Sequence, residues 1–330
     1  MSPSKNQGSP AGRGQRSALA DRRLLLPLSI VLLVVGFYGL QWWRAGARRA
    51  EQRRDLISDT RAALAESPAD RDRLGELMTG LTMLEDAATS SELLALQAEI
   101  ELLRGRPDGA YRLFGAIAER PGASAAEQRL GARIQLARQD GFGGDAPASA
   151  AMLQQVVSFS EAAFADSGAA ADAFRAWQAC KRLWKHERAA GFAAELAAAH
   201  PESREQRLVA LSQSFDPTRD AVAVEDLVID FGDDAPAELS ALETFVALQR
   251  GRIPEAKERA ERDLNRFAGV AGVRYVLAIV LHACALGNPE GSIDRATFVQ
   301  RRDQQLDWLE QRAPETESLR RQWQQMRLVR

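Results

Sequence analysis

"LLRGRPDGAYRLFGAIAERP", residues 102–121, and "LQRGRIPEAKERAERDLNRF", residues 248–267, share one pattern. Each has an apolar run closed by Arg-Gly-Arg, then a proline, then an alanine five positions past the glycine, at Ala110 and Ala256. A glycine there can adopt the positive φ that ends a helix, and a proline is tolerated in the first turn of the next one, where its missing N–H costs nothing. Each stretch therefore reads as helix, tight turn, helix. A third, "WKHERAAGFAAELAAAHPE" (184–202), lacks the glycine but aligns Ala189, Ala193, Leu196 and a closing Pro201. Residues 203–236 then make one further unit, ending at Pro236.

Outward from these hairpins the same punctuation recurs. "SPAD" at 67, "RPGAS" at 120, "HPES" at 200, "FDPT" at 215, "GDDAP" at 232 and "GNPEG" at 287 separate helix-sized pieces that run from 47–66 through 90–104, 107–119 and 124–140 to 294–312 and 315–328. Only the glycine-rich 141–149 reads as a longer loop. Alanine runs such as "AAFADSGAAADAF" favour helices that approach closely, while β-branched and aromatic residues, which strands prefer, are few: aromatics make up 6% of the chain. An all-α fold of stacked hairpins follows. No hairpin of this size buries its apolar face alone, so neighbours must stack, sharing a core that is nearest-neighbour in character and leaving a concave wall open to an extended peptide or a partner helix.

On these residues the chain resembles the tetratricopeptide repeat family, and the resemblance covers about 90–290. In that family a small residue closes the first helix, an early alanine lets the pair touch, a larger residue packs onto the next repeat, and proline ends the unit. Gly105, Ala110, Phe114 and Pro121 match this, as do Ala189 and Pro201 in part, and Gly251 and Ala256 at the turn. The first-helix tryptophan, Leu-Gly and tyrosine of the family are missing. The resemblance implies a solenoid that binds protein partners, and, through membrane members of the family, a chaperone-like role in envelope biogenesis or protein translocation.

Upstream lies "RRLLLPLSIVLLVVGFYGLQWWRAGARR", residues 22–49. From Leu24 to Trp43 no residue is charged, a length that crosses a bilayer core as a helix. Leu24 and Leu32 lie in the apolar run, and Trp42 and Trp43 stand at its end, where amphipathic rings favour the headgroup level. The long leader, the long apolar run and the two tryptophans beside Ala45-Gly46-Ala47 oppose cleavage, so the segment is expected to remain as an anchor. Five basic residues before the span and six soon after it do not decide its orientation. A short basic leader, one span and a large downstream domain have the form of a signal anchor, which places the N-terminus in the cytoplasm and the rest outside it. The expected organisation is a disordered basic tail (1–23), a transmembrane helix (24–43), a juxtamembrane helical segment (44–89), helical repeats (90–290) and capping helices (291–330).

Chemistry leaves little trace. A net charge of −2 gives no general attraction to nucleic acid, and the run "RRAEQRRD" beside a span reads as a solvated or lipid-facing helix surface. His186, His200 and His282 stand without a second ligand at metal spacing. Cys180 and Cys284 are far apart and read as small buried side chains, with a single bridge as the alternative. "DGFGGDAP" has neither a preceding strand nor a following Gly-Lys-Ser/Thr. No catalytic or metal residue, cofactor or small-molecule substrate is expected, and the chain is not expected to be an enzyme. The expected role is a membrane-anchored scaffold or assembly module for a protein partner; the alternative is a non-catalytic obligatory subunit of a membrane enzyme or regulatory complex.

Overall fold

The computed structural model describes the backbone of residues 17–66, 70–118, 123–312 and 317–328, and their side chains from residue 41 onward except 116, 118 and 317–320. Among the described residues there are α-helices, one short 3-10 turn and no β-strand. The chain forms two units, residues 1–60 and 61–330. The first is most of helix α1, Ser17–Ala65, whose residues 41–52 are solvent-exposed, Trp42 and Trp43 among them. Among the described residues no helix is long and apolar enough to cross a membrane. The segment expected to do so, 24–43, lies outside the residues with described side chains except for its last three, and most of the basic tail and the closing Pro121 also fall outside them.

The second unit is a stack of helical hairpins. After α2 (Arg71–Thr82) come α3 (Ser91–Leu103) and α4 (Pro107–Ala118), α5 (Ala125–Gly141) and α6 (Ala146–Ser167), and α7 (Ala170–Arg182) and α8 (His186–Ala199). Then follow α9 (Arg204–Gln213) and α10 (Ala221–Phe231), α11 (Ala237–Gln249) and α12 (Ile253–Arg266), and α13 (Ala271–Leu286) and α14 (Ile293–Glu310), with α15 (Glu317–Arg327) last. Each helix packs on the next in sequence, and the odd-numbered helices from α3 to α13 also touch one another in order. The even-numbered helices form no matching ladder, so the odd-numbered ones line the inside of the curve. Starts are set by side chains that accept from first-turn N–H groups: Asp70, Ser90, Ser124, Asp145, Ser203 and Ser292.

The core is divided between neighbouring hairpins. Leu94, Ala98, Ala110, Phe114, Leu130 and Ile134 join α3, α4 and α5, with Phe114 edge-on to Phe159 of α6 at 5.8 Å. A larger cluster, centred on Trp177 stacked against Phe174 at 5.5 Å, spans α6 to α11. Ala247, Ala256, Ala260, Leu277 and Leu281 bring α11, α12 and α13 together. At the end, Trp323 is buried against Ala278, Leu306 and Leu309, so α14 and α15 pack as the last helices of the stack.

Two expectations are corrected. The loop read over 141–149 is only four residues long, 142–145, because Asp145 caps α6 and Pro147 sits in its first turn, turning a glycine-rich stretch into a helix start. The stack is also not purely nearest-neighbour. The end of α5 meets the loop between α12 and α13: Gly269 N–H donates to Asp140 O at 2.8 Å, and Gln139 Nε2 donates to Gly269 O at 2.9 Å. Trp308 Nε1 of α14 donates to Gly143 O at 3.3 Å. The curve closes on itself through these contacts between residues more than a hundred positions apart.

Candidate functional site

Closure decides which surfaces are available. Along the inner rim, Arg182 at the end of α7 is almost fully buried and donates Nε to Glu238 at 3.0 Å, and Nη1 to Gln139 at 2.6 Å and to Asp140 at 2.5 Å. Gln178 adds a bond to Glu238 at 2.6 Å. Burial alone would lower the Arg182 pKa, but the two carboxylates outweigh it and raise it. Burial alone would likewise raise Glu238, yet Arg182 holds it below the usual carboxylate range, while burial pushes Asp140 up against the pull of the same guanidinium. A guanidinium shared by two carboxylates inside a protein is satisfied only as a set. At this rim, then, the wall expected to receive an extended partner is occupied by the chain's own side chains.

The outside offers a different surface. Between α6 and α8 lies a groove of ≈ 340 Å³ whose floor includes Phe164, Gly191 and Phe192 and whose rim carries Glu161, Arg188 and Glu195. It follows from the hairpin geometry: both helices pack on α7 between them and make little contact with each other. Arg188 Nε donates to Glu161 Oε1 at 3.0 Å across the groove. A side chain built at Gly191 would meet nothing within 4 Å, so the floor there is open. An apolar floor with a charged rim suits one or two large apolar side chains from a partner, oriented by the rim.

The residues singled out from sequence fall mostly into structural roles. Ala110 and Ala256 are fully buried at helix–helix contacts, Phe114 and Ala189 are buried in the core, and Pro201 is exposed in the turn after α8. Gly105 and Gly251 both have φ of +73°, as the turn requires. These residues are spread along the stack and do not converge on one site. Leu24 and Leu32 lie in α1 outside the described side chains; Trp42 and Trp43 are exposed at 77% and 67%. Sequence reasoning missed the outer groove, although Phe192 stands in the quoted "RAAGFAAELAAAH" one position after the glycine that leaves it open.

Two of the three histidines have hydrogen-bond partners. His200 closes α8 with Nε2 at 2.6 Å from Gly168 O, and Arg302, itself fully buried, donates to His282 Nδ1 at 3.3 Å. Burial, with the Arg302 charge, pushes the His282 pKa down. Cys180 and Cys284 are both free and buried, and burial pushes both thiols up. Among the described residues no group of three His, Cys, Asp or Glu could hold a metal ion.

No known family matches the sequence, and no curated protein resembles it significantly. Among solved structures, the chain is similar to a tetratricopeptide repeat protein from Parabacteroides merdae ATCC 43184, at 9% sequence identity and a TM-score of 0.39. The match covers 84% of this chain and 98% of that one. An overlap that loose adds nothing to the architecture already read from the helix contacts.

Proposed function

We propose that this chain is a scaffold or assembly module that holds a protein partner near a bilayer, without catalysis of its own. The apolar segment 24–43 serves as its single-pass anchor, with the N-terminus cytoplasmic and the hairpin stack on the other side. The partner docks in the outer groove between α6 and α8. The observation that carries the docking site is the contrast between the two faces: the inner rim is filled by Arg182 and its carboxylates, whereas the outer groove has buried aromatic carbon beneath an unfilled floor. The anchor is supported by the uncharged run ending in Trp42 and Trp43.

The test uses the full chain in its native membrane with a photo-crosslinking amino acid at Ala165 on the groove, and controls at the exposed Ala198 and the buried inner-wall Gln135. A discrete adduct formed from position 165 and from neither control is the expected result. Equal yields from 165 and 198, or crosslinking from 135 alone, would remove the groove as the docking site. A topology reporter fused after residue 330 decides the orientation separately: signal from the cytoplasmic side overturns it.

A further inference from the structure

Helix α10 buries one face and shows apolar carbon on another. Ala221, Val224, Leu227 and Phe231 enter the core. Val222 and Ile229 stand 65% and 79% exposed, with the exposed Asp226 between them at spacings of four and three. That spacing puts all three on one side of a helix. The two acids that flank this side are taken by neighbouring helices. Glu225 accepts from Arg250 Nη1, at the end of α11, at 2.5 Å, and Asp230 pairs with Arg207 of α9. Asp226 is left pointing outward, and Asp233 and Asp234, just past the helix, are exposed as well. These acids do nothing for the helix itself. Its first turn holds no acid and its last turn no base, so the carboxylates gather toward the end where the helix dipole is already negative.

A single exposed aliphatic side chain is ordinary on a protein surface. Two on one side of a helix, with a carboxylate between them, form a strip along which a second helix can lie. The acids fix the sign of that helix. We propose that the exposed side of α10 docks a cationic amphipathic helix of a protein partner. Large aliphatic side chains of that helix seat beside Val222 and Ile229, and its lysines or arginines meet Asp226, Asp233 and Asp234. The same acids repel an anionic bilayer or a nucleic acid. A helix of 11 residues is about 16 Å long, well short of what a standard interface covers, so the contact is weak and fades with salt. The inference goes beyond the scaffold reading, since it uses no residue of the outer groove and does not need the anchor.

The test follows the fluorescence anisotropy of a labelled helical peptide of leucine and lysine, its leucines on one stripe, as the purified full chain in zwitterionic nanodiscs is added. Empty nanodiscs serve as the blank. One control peptide has glutamate in place of lysine, and another has the same composition with its leucines scattered around the helix. Saturable binding of the first peptide alone, weakening as salt rises, is expected. Val222→Ser combined with Ile229→Ser should weaken it about tenfold. Asp226→Lys should weaken it about fivefold, as attraction becomes repulsion, and should narrow the gap between the lysine and glutamate peptides. Ala165→Trp, at the outer groove, should leave it unchanged. Equal affinity for the lysine and glutamate peptides overturns the proposal, as does undiminished binding by the triple variant at 222, 226 and 229. Loss of binding in Ala165→Trp alone overturns it too, by assigning the peptide to the groove. Should a variant fail to fold, a photo-crosslinking amino acid at the exposed Ala223 replaces it: an adduct with the lysine peptide supports the site, and none overturns it.

Discussion

Trp184 has a φ of +58°, the left-handed region in which L side chains are strained, and it stands where the two quoted hairpins have Gly105 and Gly251. All three turns use the same bonds. Arg106, Lys185 and Arg252 N–H reach back to Glu101, Cys180 and Ala247 O at 2.8, 2.9 and 3.0 Å, and the residue before each donates three positions back. The turn geometry therefore belongs to the hairpin, and the glycine only removes its cost. Gly105→Ala and Gly251→Ala should each lower stability by ~1–2 kcal/mol in urea denaturation, because a Cβ at either position meets no atom and only backbone strain changes. Trp184→Gly relieves that strain while losing a half-buried indole, so its net effect should stay within ~1 kcal/mol. Trp177→Ala, which empties the core, should cost ~3–5 kcal/mol.

Asp172 is the other residue with a measurable signature. Fully buried at the start of α7, it accepts from Arg129 at 3.0 and 2.7 Å, Arg175 at 2.7 Å and Ser167 at 3.1 Å. Burial raises its pKa, but the Arg129 hydrogen bonds and the charges of Arg175 and Arg129 prevail and hold it below the usual aspartate value. A depressed folded pKa contributes stability that is present above the unfolded value and is lost as pH falls through the folded one. Unfolding free energy measured against pH should therefore decline on the acid side of the ordinary aspartate pKa. Asp172→Asn should be less stable at neutral pH and show a shallower acid decline.

Helix termini carry the next level of information. At α5 the Ser124 side chain accepts from Glu127 N–H while Glu127 accepts from Ser124 N–H at 2.7 Å, a reciprocal cap that fixes where the second hairpin begins. Ser124→Ala should cost ~1 kcal/mol, and amide exchange should rise in the first turn of α5 before it rises in α6. Asp145 does the same for α6 and explains why "GGDAPAS" holds a helix start inside an apparent loop: Asp145 accepts Ala148 N–H, and Pro147 needs no bond at that position. Capping thus sets the length of the connection, and that short length carries Gly143 to the seam.

Closure is a property of the whole hairpin stack. An open repeat array gains stability only between neighbours and can fray from its ends, whereas here the α12–α13 loop is tied to the end of α5. Gly269 is the tightest point: a Cβ there would lie 1.9 Å from Gln139 O. Gly269→Ala must push the two segments apart, at a cost of ~1–3 kcal/mol, and hydrogen exchange should increase together at 139–143 and 266–270. Arg182→Met leaves Asp140 and Glu238 buried without their cation, which should cost ~3–5 kcal/mol. Both variants should broaden or split a single urea transition; a sharp single transition in both would show that the seam does not couple the two ends.

Helix content, pairing and turn positions were legible in the sequence because they depend on local chemistry. Alanine runs, serine and aspartate caps, the Arg-Gly-Arg turns and the regular prolines act within a few residues of themselves, and the expected helices 90–104 and 124–140 match α3 and α5 within one residue at each end. The closure was not legible. It depends on the small angle each hairpin adds to the one before, and no single residue encodes that sum; Gly269 and Gln139 are 130 positions apart and look ordinary alone. The tertiary structure therefore decided which face is open. By bringing Arg182 to its carboxylates it filled the inner rim, and by packing α6 and α8 on α7 it left a groove between them. Composition and spacing carry no information about surface that exists only between elements.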